Sequence, residues 1–292
     1  MINTNLVKEL RDRSGAGVLD CKKALEEKNG DIEEAMKYLR EKGVAKAAKK
    51  SERIAAEGLA SILIKDNKAI VLEMNSETDF VAKNETFKSL VEKVMEVILN
   101  SDVKTVSDAL NLSCEEGTLN DLIIAKTATI GEKLSLRRFE RVTLSDNEVV
   151  GSYIHMGGKI ASLVVLKGAN SEVASNVAMH AAAMRPLYVK ESSVPTDALE
   201  KEKSIMREQL INEGKPADKI DNILSGKVKK YYEEVCLENQ IYVKAENKET
   251  VAKYVSQNNG EIINMIRFEV GEGIEKKEEN FAEEVAAQLK NN

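Results

Sequence analysis

No tryptophan occurs among the 292 residues, and phenylalanine and tyrosine bring the aromatic share only to 4%. A nucleic-acid surface built on stacked bases needs such rings, and the short basic segment at residues 46–53 is not interleaved with them. Cys21, Cys114 and Cys236 are far apart and odd in number. That argues against a disulfide framework and fits a reducing compartment. The two histidines, His155 and His180, stand in no array with cysteines and carboxylates, so no zinc site is indicated. The GxxxxGK[ST] phosphate loop and GxSxG are both missing. Gly271 and Gly273 in VGEGIEK lack the third glycine and the strand–turn–helix setting of a dinucleotide site. No apolar run approaches the roughly 18 residues of a membrane span. The opening MINTNLVKELRDRSG has no apolar core or cleavage site of a secretory signal. The expectation is a cytoplasmic protein with no metal or cofactor of its own.

What is present is a folding composition: 42% hydrophobic and 32% charged residues. The 43 basic residues are slightly outnumbered by 49 acidic ones, so no general polyanion surface follows. The length suits two or three domains. The first forty residues predict three short helices. Thr4 is the expected cap of the first, which carries Leu6, Val7 and Leu10, and Gly15 and Gly17 mark its end. Val18, Cys21, Ala24 and Leu25 space the second, ended by Asn29-Gly30. Asp31 and Glu34 form a capping-box pattern for the third, with Ile32, Ala35, Tyr38 and Leu39 inward. Residues 43–53, GVAKAAKKSER, fit either a linker or a short solvated helix.

The pattern then changes to strands. Two apolar stretches flank Asp66-Asn67, a hairpin signal. A polar turn and a helix follow, with Phe87, Leu90, Val91, Val94, Met95 and Ile98 on one stripe. A shorter helix at 118–129 and a strand at 134–144 complete this half. Hairpin, polar turn and helix then recur: VVGSYIHMGGKIASLVVLKGAN turns near Gly157-Gly158 and leads into SEVASNVAMHAAAM. The repeat predicts two related α+β subdomains with small antiparallel sheets. Pro186 and Pro195 bracket an extended connection. Helices at 197–213, with Leu199, Ile205, Met206 and Leu210 on one side, and at 217–235 should fold into a hairpin around Gly214 and Pro216. A helix from Thr250, a closing strand IINMIRFEV, and a last helix at 279–290 with Phe281, Val285, Ala286 and Leu289 end the chain.

Thr78-Asp79-Phe80-Val81 is the unusual segment, a large ring beside a carboxylate in a polar turn. Two readings stand. Phe80 fills the chain's own core, or it is an exposed wedge for a partner's pocket, with Asp79 meeting partner donors and Thr78 orienting the turn through its hydroxyl.

Several segments stand in the order typical of one family: LVKELRDRSGAGVLDCKKAL, NGDIEEAMKYLREKGVAKAAKK, NSETDFVAKNETF, AMHAAAMRP, GKP and IRFEVGEGIEK. Over nearly its whole length the chain resembles the bacterial elongation factor Ts family, the guanine-nucleotide exchange factors of elongation factor Tu. The resemblance implies an α+β fold in five parts. These are a three-helix ubiquitin-associated-like domain (1–53), a core N-subdomain (54–145), a core C-subdomain (146–195 and 236–270), an inserted coiled-coil hairpin (196–235) and a C-terminal helical module (271–292). It implies a non-enzymatic role in translation elongation, with Tu as partner, no cofactor, no membrane and no specific nucleic acid. Self-association or a two-to-two assembly with Tu is part of the family's range. Carried over by motif, Asp79 and Phe80 are the central contacts, between Thr78 and Val81, and Phe80 enters Tu near its magnesium and phosphates. Val18 and Leu19 match apolar contact positions where the family commonly has methionines, Lys22 matches a polar one, and His155 a histidine that touches Tu.

Overall fold

The computed structural model describes residues 3–115 and 117–275. In chain order the elements are α1 (Thr4–Ser14), α2 (Val18–Glu27), α3 (Ile32–Ala48), β1 (Glu57–Lys65), β2 (Lys68–Ser76), α4 (Asp79–Ala82), α5 (Glu85–Leu99) and α6 (Val106–Leu110). Next come β3 (Ser113–Cys114), β4 (Gly117–Thr118), α7 (Leu119–Ile130), β5 (Ser135–Thr143), β6 (Glu148–His155), β7 (Ile160–Lys167) and α8 (Ser171–Met184). A single 3-10 turn, Glu191–Ser193, precedes α9 (Thr196–Asn212), α10 (Ala217–Val235), α11 (Val251–Gln257) and β8 (Glu261–Glu269). The architecture is α+β. The described chain forms two compact units, one of residues 3–59, 73–115, 117–138 and 270–275, the other of Ala60–Leu72 and Phe139–Glu269.

In the first unit, Leu10, Cys21, Ala24, Leu25 and Ala35 make a small closed core, edged by Leu6, Val7, Ile32, Tyr38 and Leu39. The cap of α1 is Asn3 and not Thr4: the Asn5 N–H donates to Asn3 Oδ1 at 2.9 Å. Both side chains are cap formers, and a one-residue earlier start puts Thr4 inside the first turn. Asp31 caps α3 through the Glu34 N–H at 3.0 Å, but the return bond of a full capping box does not form. Of the two readings of the segment from Gly43, the helix holds as far as Ala48, as a continuation of α3. The reason is packing against α7. Gly43 is buried, and a Cβ there would stand 3.4 Å from the Ala128 side chain.

A two-residue loop, Asp66-Asn67, joins β1 to β2, so the pair is antiparallel. Asp66 adopts φ 55°, the left-handed conformation such a loop demands. β2 lies between β1 and β5. In the first unit its Glu73 is fully buried, meeting Arg137 Nη1 at 2.9 Å, Arg138 Nε at 2.6 Å and the Gly271 N–H at 2.9 Å. A carboxylate so enclosed is tolerable only because its lone pairs are all engaged. The predicted stripe of α5 is buried throughout, from Phe87 to Ile98. Sequence patterns gave no sign of α6, β3 or β4, elements of five and two residues that are too short for a period to show.

In the second unit β7 lies between β6 and β8, antiparallel to both. α8 packs over β6 and β7 through Val173, Ala174, Val177, Ala178 and Ala181, joined by Leu237, Tyr242, Val251 and Val255. Its small residues let the backbones approach. A Cβ on Gly151 of β6 would lie 2.0 Å from the Ser175 nitrogen. α9 and α10 fold back on each other about Leu210, Ile220 and Leu224, flanked by Met206, Ile223 and Val228. Ile205, expected on this seam, is 41% exposed. Met206 and Leu210, one turn apart, hold the seam and rotate Ile205 off it. Among the described residues no helix is long and apolar enough to cross a membrane. The expected helix at 279–290 lies outside the described residues.

His180 of α8 is fully buried. Its Nδ1 accepts the Val243 N–H at 3.1 Å, so the ring proton sits on Nε2 and is donated to Gln240 Oε1, 3.0 Å away. Burial holds the imidazole below its ordinary pKa, with the Gln240 bond opposing.

Two predictions follow from this packing. Gly151→Ala forces α8 away from β6 and should lower the unfolding free energy by about 2 kcal/mol in urea titration. For His180 the unfolded chain takes up a proton as pH falls through the ordinary value of about 6.5, while the folded chain resists. The stabilisation is therefore complete above that pH and is lost as pH falls toward the folded value. Urea midpoints measured from neutral to mildly acid pH should fall more steeply for the native sequence than for His180→Gln.

Candidate partner-binding surface

Strand β2 delivers the chain to Glu77 and Thr78, and Thr78 stays extended at φ −123° and ψ 157° as the N-cap of α4. Its hydroxyl oxygen accepts the Val81 N–H at 3.4 Å. α4 lasts four residues, because Asn84 immediately caps α5 by accepting the Thr86 N–H at 2.8 Å. Two positions apart on a helix are turned by roughly 200°. Ala82 is buried, so Phe80 points the opposite way and is 80% exposed. Phe87, seven residues later, is fully buried. Of the two readings of Phe80, burial in its own core is excluded by this geometry.

A helix of one turn cannot hold itself, and the turn is held from behind. Glu132, half-buried, follows the left-handed Gly131 (φ 91°) that ends α7. Its carboxylate accepts the Thr78 hydroxyl at 2.6 Å, the Thr78 N–H at 2.9 Å and the Glu77 N–H at 3.1 Å. The exchange is mutual: the Lys133 N–H donates to Glu77 Oε1 at 2.6 Å, and Arg53 pairs with Glu77 at 3.2 Å. Lys133 Nζ reaches the carbonyls of Ser51 and Arg53 at 2.7 and 2.9 Å. Asp79 is half-exposed beside Phe80 and pairs with Lys83 at 2.7 Å. Such a surface pair contributes only about 0.3–0.5 kcal/mol, so a competing donor can displace it. Val81 is half-buried. Glu132 was not singled out from the sequence, since 54 residues separate it from Thr78.

The first turn of α2 displays Val18 and Leu19, 51% and 82% exposed. Lys22 is exposed on the same helix with Glu26 at 3.8 Å. Val18 thus lies off the small core that Cys21, Ala24 and Leu25 enter. In the second unit His155 ends β6, exposed and stacked on Tyr153 at 5.9 Å. Ile154 and Met156 beside it are 48% and 70% exposed. The apolar side chains lie at the start of a helix and at the tip of a hairpin, and are exposed among the described residues.

Residues 77–272 match the family model described as Elongation factor TS. The elongation factor Ts of Limosilactobacillus reuteri is 50% identical over 283 residues, covering 97% of each chain. Those of Limosilactobacillus fermentum and Pediococcus pentosaceus are each 50% identical over 288 residues, covering 99% of this chain and 98% of theirs. This chain belongs to the elongation factor Ts family. The matched stretch opens at Glu77, inside the hydrogen-bonded turn, and so takes in Thr78, Asp79, Phe80 and Val81 as well as His155. Val18, Leu19 and Lys22 precede it but fall within the length shared with the whole-chain relatives.

A cleft of about 620 Å³ lies among α1, α2, α3 and α7. Part of its charged lining is engaged in ion pairs, Arg13 with Glu33 at 2.6 Å, Lys46 with Asp20 at 3.0 Å and Arg40 with Asp121 at 2.8 Å. The Thr118 N–H, followed by the Arg40 guanidinium, holds the Asp121 carboxyl below its ordinary range. Among the described residues no group of three or more His, Cys, Asp or Glu could hold a metal ion.

The geometry predicts opposite outcomes for two phenylalanines. Phe80→Ala should leave the thermal melting temperature within about 2 °C, whereas Phe87→Ala should cost about 3–5 kcal/mol in chemical denaturation.

Proposed function

We propose that this chain is a guanine-nucleotide exchange factor that acts on elongation factor Tu during translation elongation. The observation that carries the reading is Phe80, 80% exposed on a turn held by hydrogen bonds within the family-matched stretch. A ring of this size gains about 1.5–3 kcal/mol when a partner's pocket takes it out of water. In the proposed complex Phe80 enters Tu near the magnesium and phosphates, and Asp79 meets polar groups at the rim. Groups that hold magnesium and the phosphates are disturbed, GDP leaves, and GTP refills the site. Linkage governs the energetics: a chain that binds nucleotide-free Tu better than Tu·GDP must weaken GDP by the same factor. Each about 1.4 kcal/mol of such coupling is a tenfold change.

The chain is not an enzyme; it changes a partner's nucleotide affinity and needs no cofactor. Val18, Leu19 and Lys22 supply a second contact. Branched apolar side chains there replace the flexible thioethers common in the family, keeping the apolar character with a stiffer surface. His155, with Ile154 and Met156, supplies a third. The layout proposed is a ubiquitin-associated-like module at 1–53, core subdomains at 54–145 and at 146–195 with 236–270, a coiled-coil hairpin at 196–235 and a last module at 271–292, most of which lies outside the described residues. The setting is the cytoplasm, and the assembly is either two-to-two with Tu or a pairing of copies through the helical hairpin.

Release of labelled GDP from purified Tu tests this reading. The chain should accelerate release strongly, and Phe80→Ala should remove at least about tenfold of that acceleration while remaining folded. Release unchanged at every concentration of the chain would overturn it.

A further inference from the structure

We propose that Glu132 is the positioning residue of the Phe80 wedge, holding it outward in the free chain before any partner arrives. The inference rests on the exchange reading above and concerns how that surface is prepared. α4 is one turn long, Phe80 is 80% exposed, and beside the Ser76 hydroxyl on the Thr78 carbonyl at 2.9 Å and the buried Ala82, the turn's entry is tied down by Glu132. Glu132 receives both consecutive N–H groups at the entry, Glu77 and Thr78, together with the Thr78 hydroxyl. By taking the hydroxyl proton it turns a Thr78 lone pair toward the Val81 N–H, so one carboxylate sets both the entry and the cap. Glu132 acts on the backbone ahead of the ring. Its carboxylate is tied to the backbone before Phe80, and Glu77 returns the tie to the Lys133 N–H.

The consequence is a change of apparent affinity and can be separated from the displacement of GDP. If Glu132 sets only the fraction of free chains that carry a docking-ready turn, its loss lowers that fraction and lowers the apparent affinity in the same proportion. Once Phe80 is seated, the turn is held by the partner's pocket. The concentration dependence should change, and the saturated rate should not.

The test is GDP release from Tu across a concentration series of the native chain, Glu132→Ala, Glu132→Gln and Thr78→Val, with amide exchange of each free chain. Glu132→Ala should raise the half-saturating concentration about tenfold and leave the plateau within about twofold. Glu132→Gln keeps an oxygen for the two N–H groups and an amide that the Thr78 hydroxyl can accept, so it should stay near the native curve. In the free Glu132→Ala chain, the amides of Glu77, Thr78 and Val81 should exchange faster while those of β2 keep their protection. An unchanged half-saturating concentration, or a lowered plateau at the native half-saturating concentration, overturns the proposal. If Glu132→Ala does not fold, Thr78→Val decides by the same criterion. If the native chain fails to release GDP at all, the exchange reading falls. The amide measurement then still judges Glu132, and native protection at Glu77 and Thr78 in the alanine variant sinks it.

Discussion

An aromatic ring left in water is unfavourable, and a flexible turn would fold it against the nearest apolar surface. Phe80 stays 80% exposed, on a turn bonded from Thr78 and Glu77 to Glu132 and from Glu77 back to Lys133. These charge-assisted bonds are short and directional. The rest of the first unit serves this arrangement. β2 carries the chain to the turn and is itself fixed by Glu73 between Arg137 and Arg138. α7 ends at Gly131 so that Glu132 and Lys133 meet that strand's exit.

Order imposed in advance has a thermodynamic use. A side chain that must be fixed on binding costs about 0.5–1.5 kcal/mol, and a loop costs more. A turn already fixed by the fold escapes that cost at encounter. The same logic distinguishes Phe80 from Asp79. The ring's turn is fixed by backbone bonds, whereas the Asp79 carboxylate lies at the surface in an ion pair with exposed Lys83. The second unit displays its exposed side chains at the tip of a hairpin whose strands are packed under α8, again on a fixed support.

Much of this was legible in the sequence where a period repeats often enough. The α5 stripe from Phe87 to Ile98, the Asp66-Asn67 loop and the small-residue helix α8 fall where spacing and turn chemistry put them. Failures had local causes. The basic segment from Gly43 fitted a linker or a solvated helix equally, and packing of α3 against α7 decides for helix as far as Ala48. Asn3 and Thr4 are equivalent caps on paper, and one residue of helix decides between them. Pattern alone left Phe80 with two readings, because a lone ring in a polar turn has no period. Glu132 was invisible for a different reason: its bonds span 54 residues, and only the fold brings the segments together.

In the proposed mechanism the Phe80 ring distinguishes the empty state of Tu from the GDP-bound one. Calorimetric titration of the chain against nucleotide-free Tu and against Tu·GDP gives the ratio of the two affinities. The account predicts a large ratio for the native chain and one that collapses toward unity for Phe80→Ala. An alanine variant that keeps the native ratio, however weakly it binds, would contradict it.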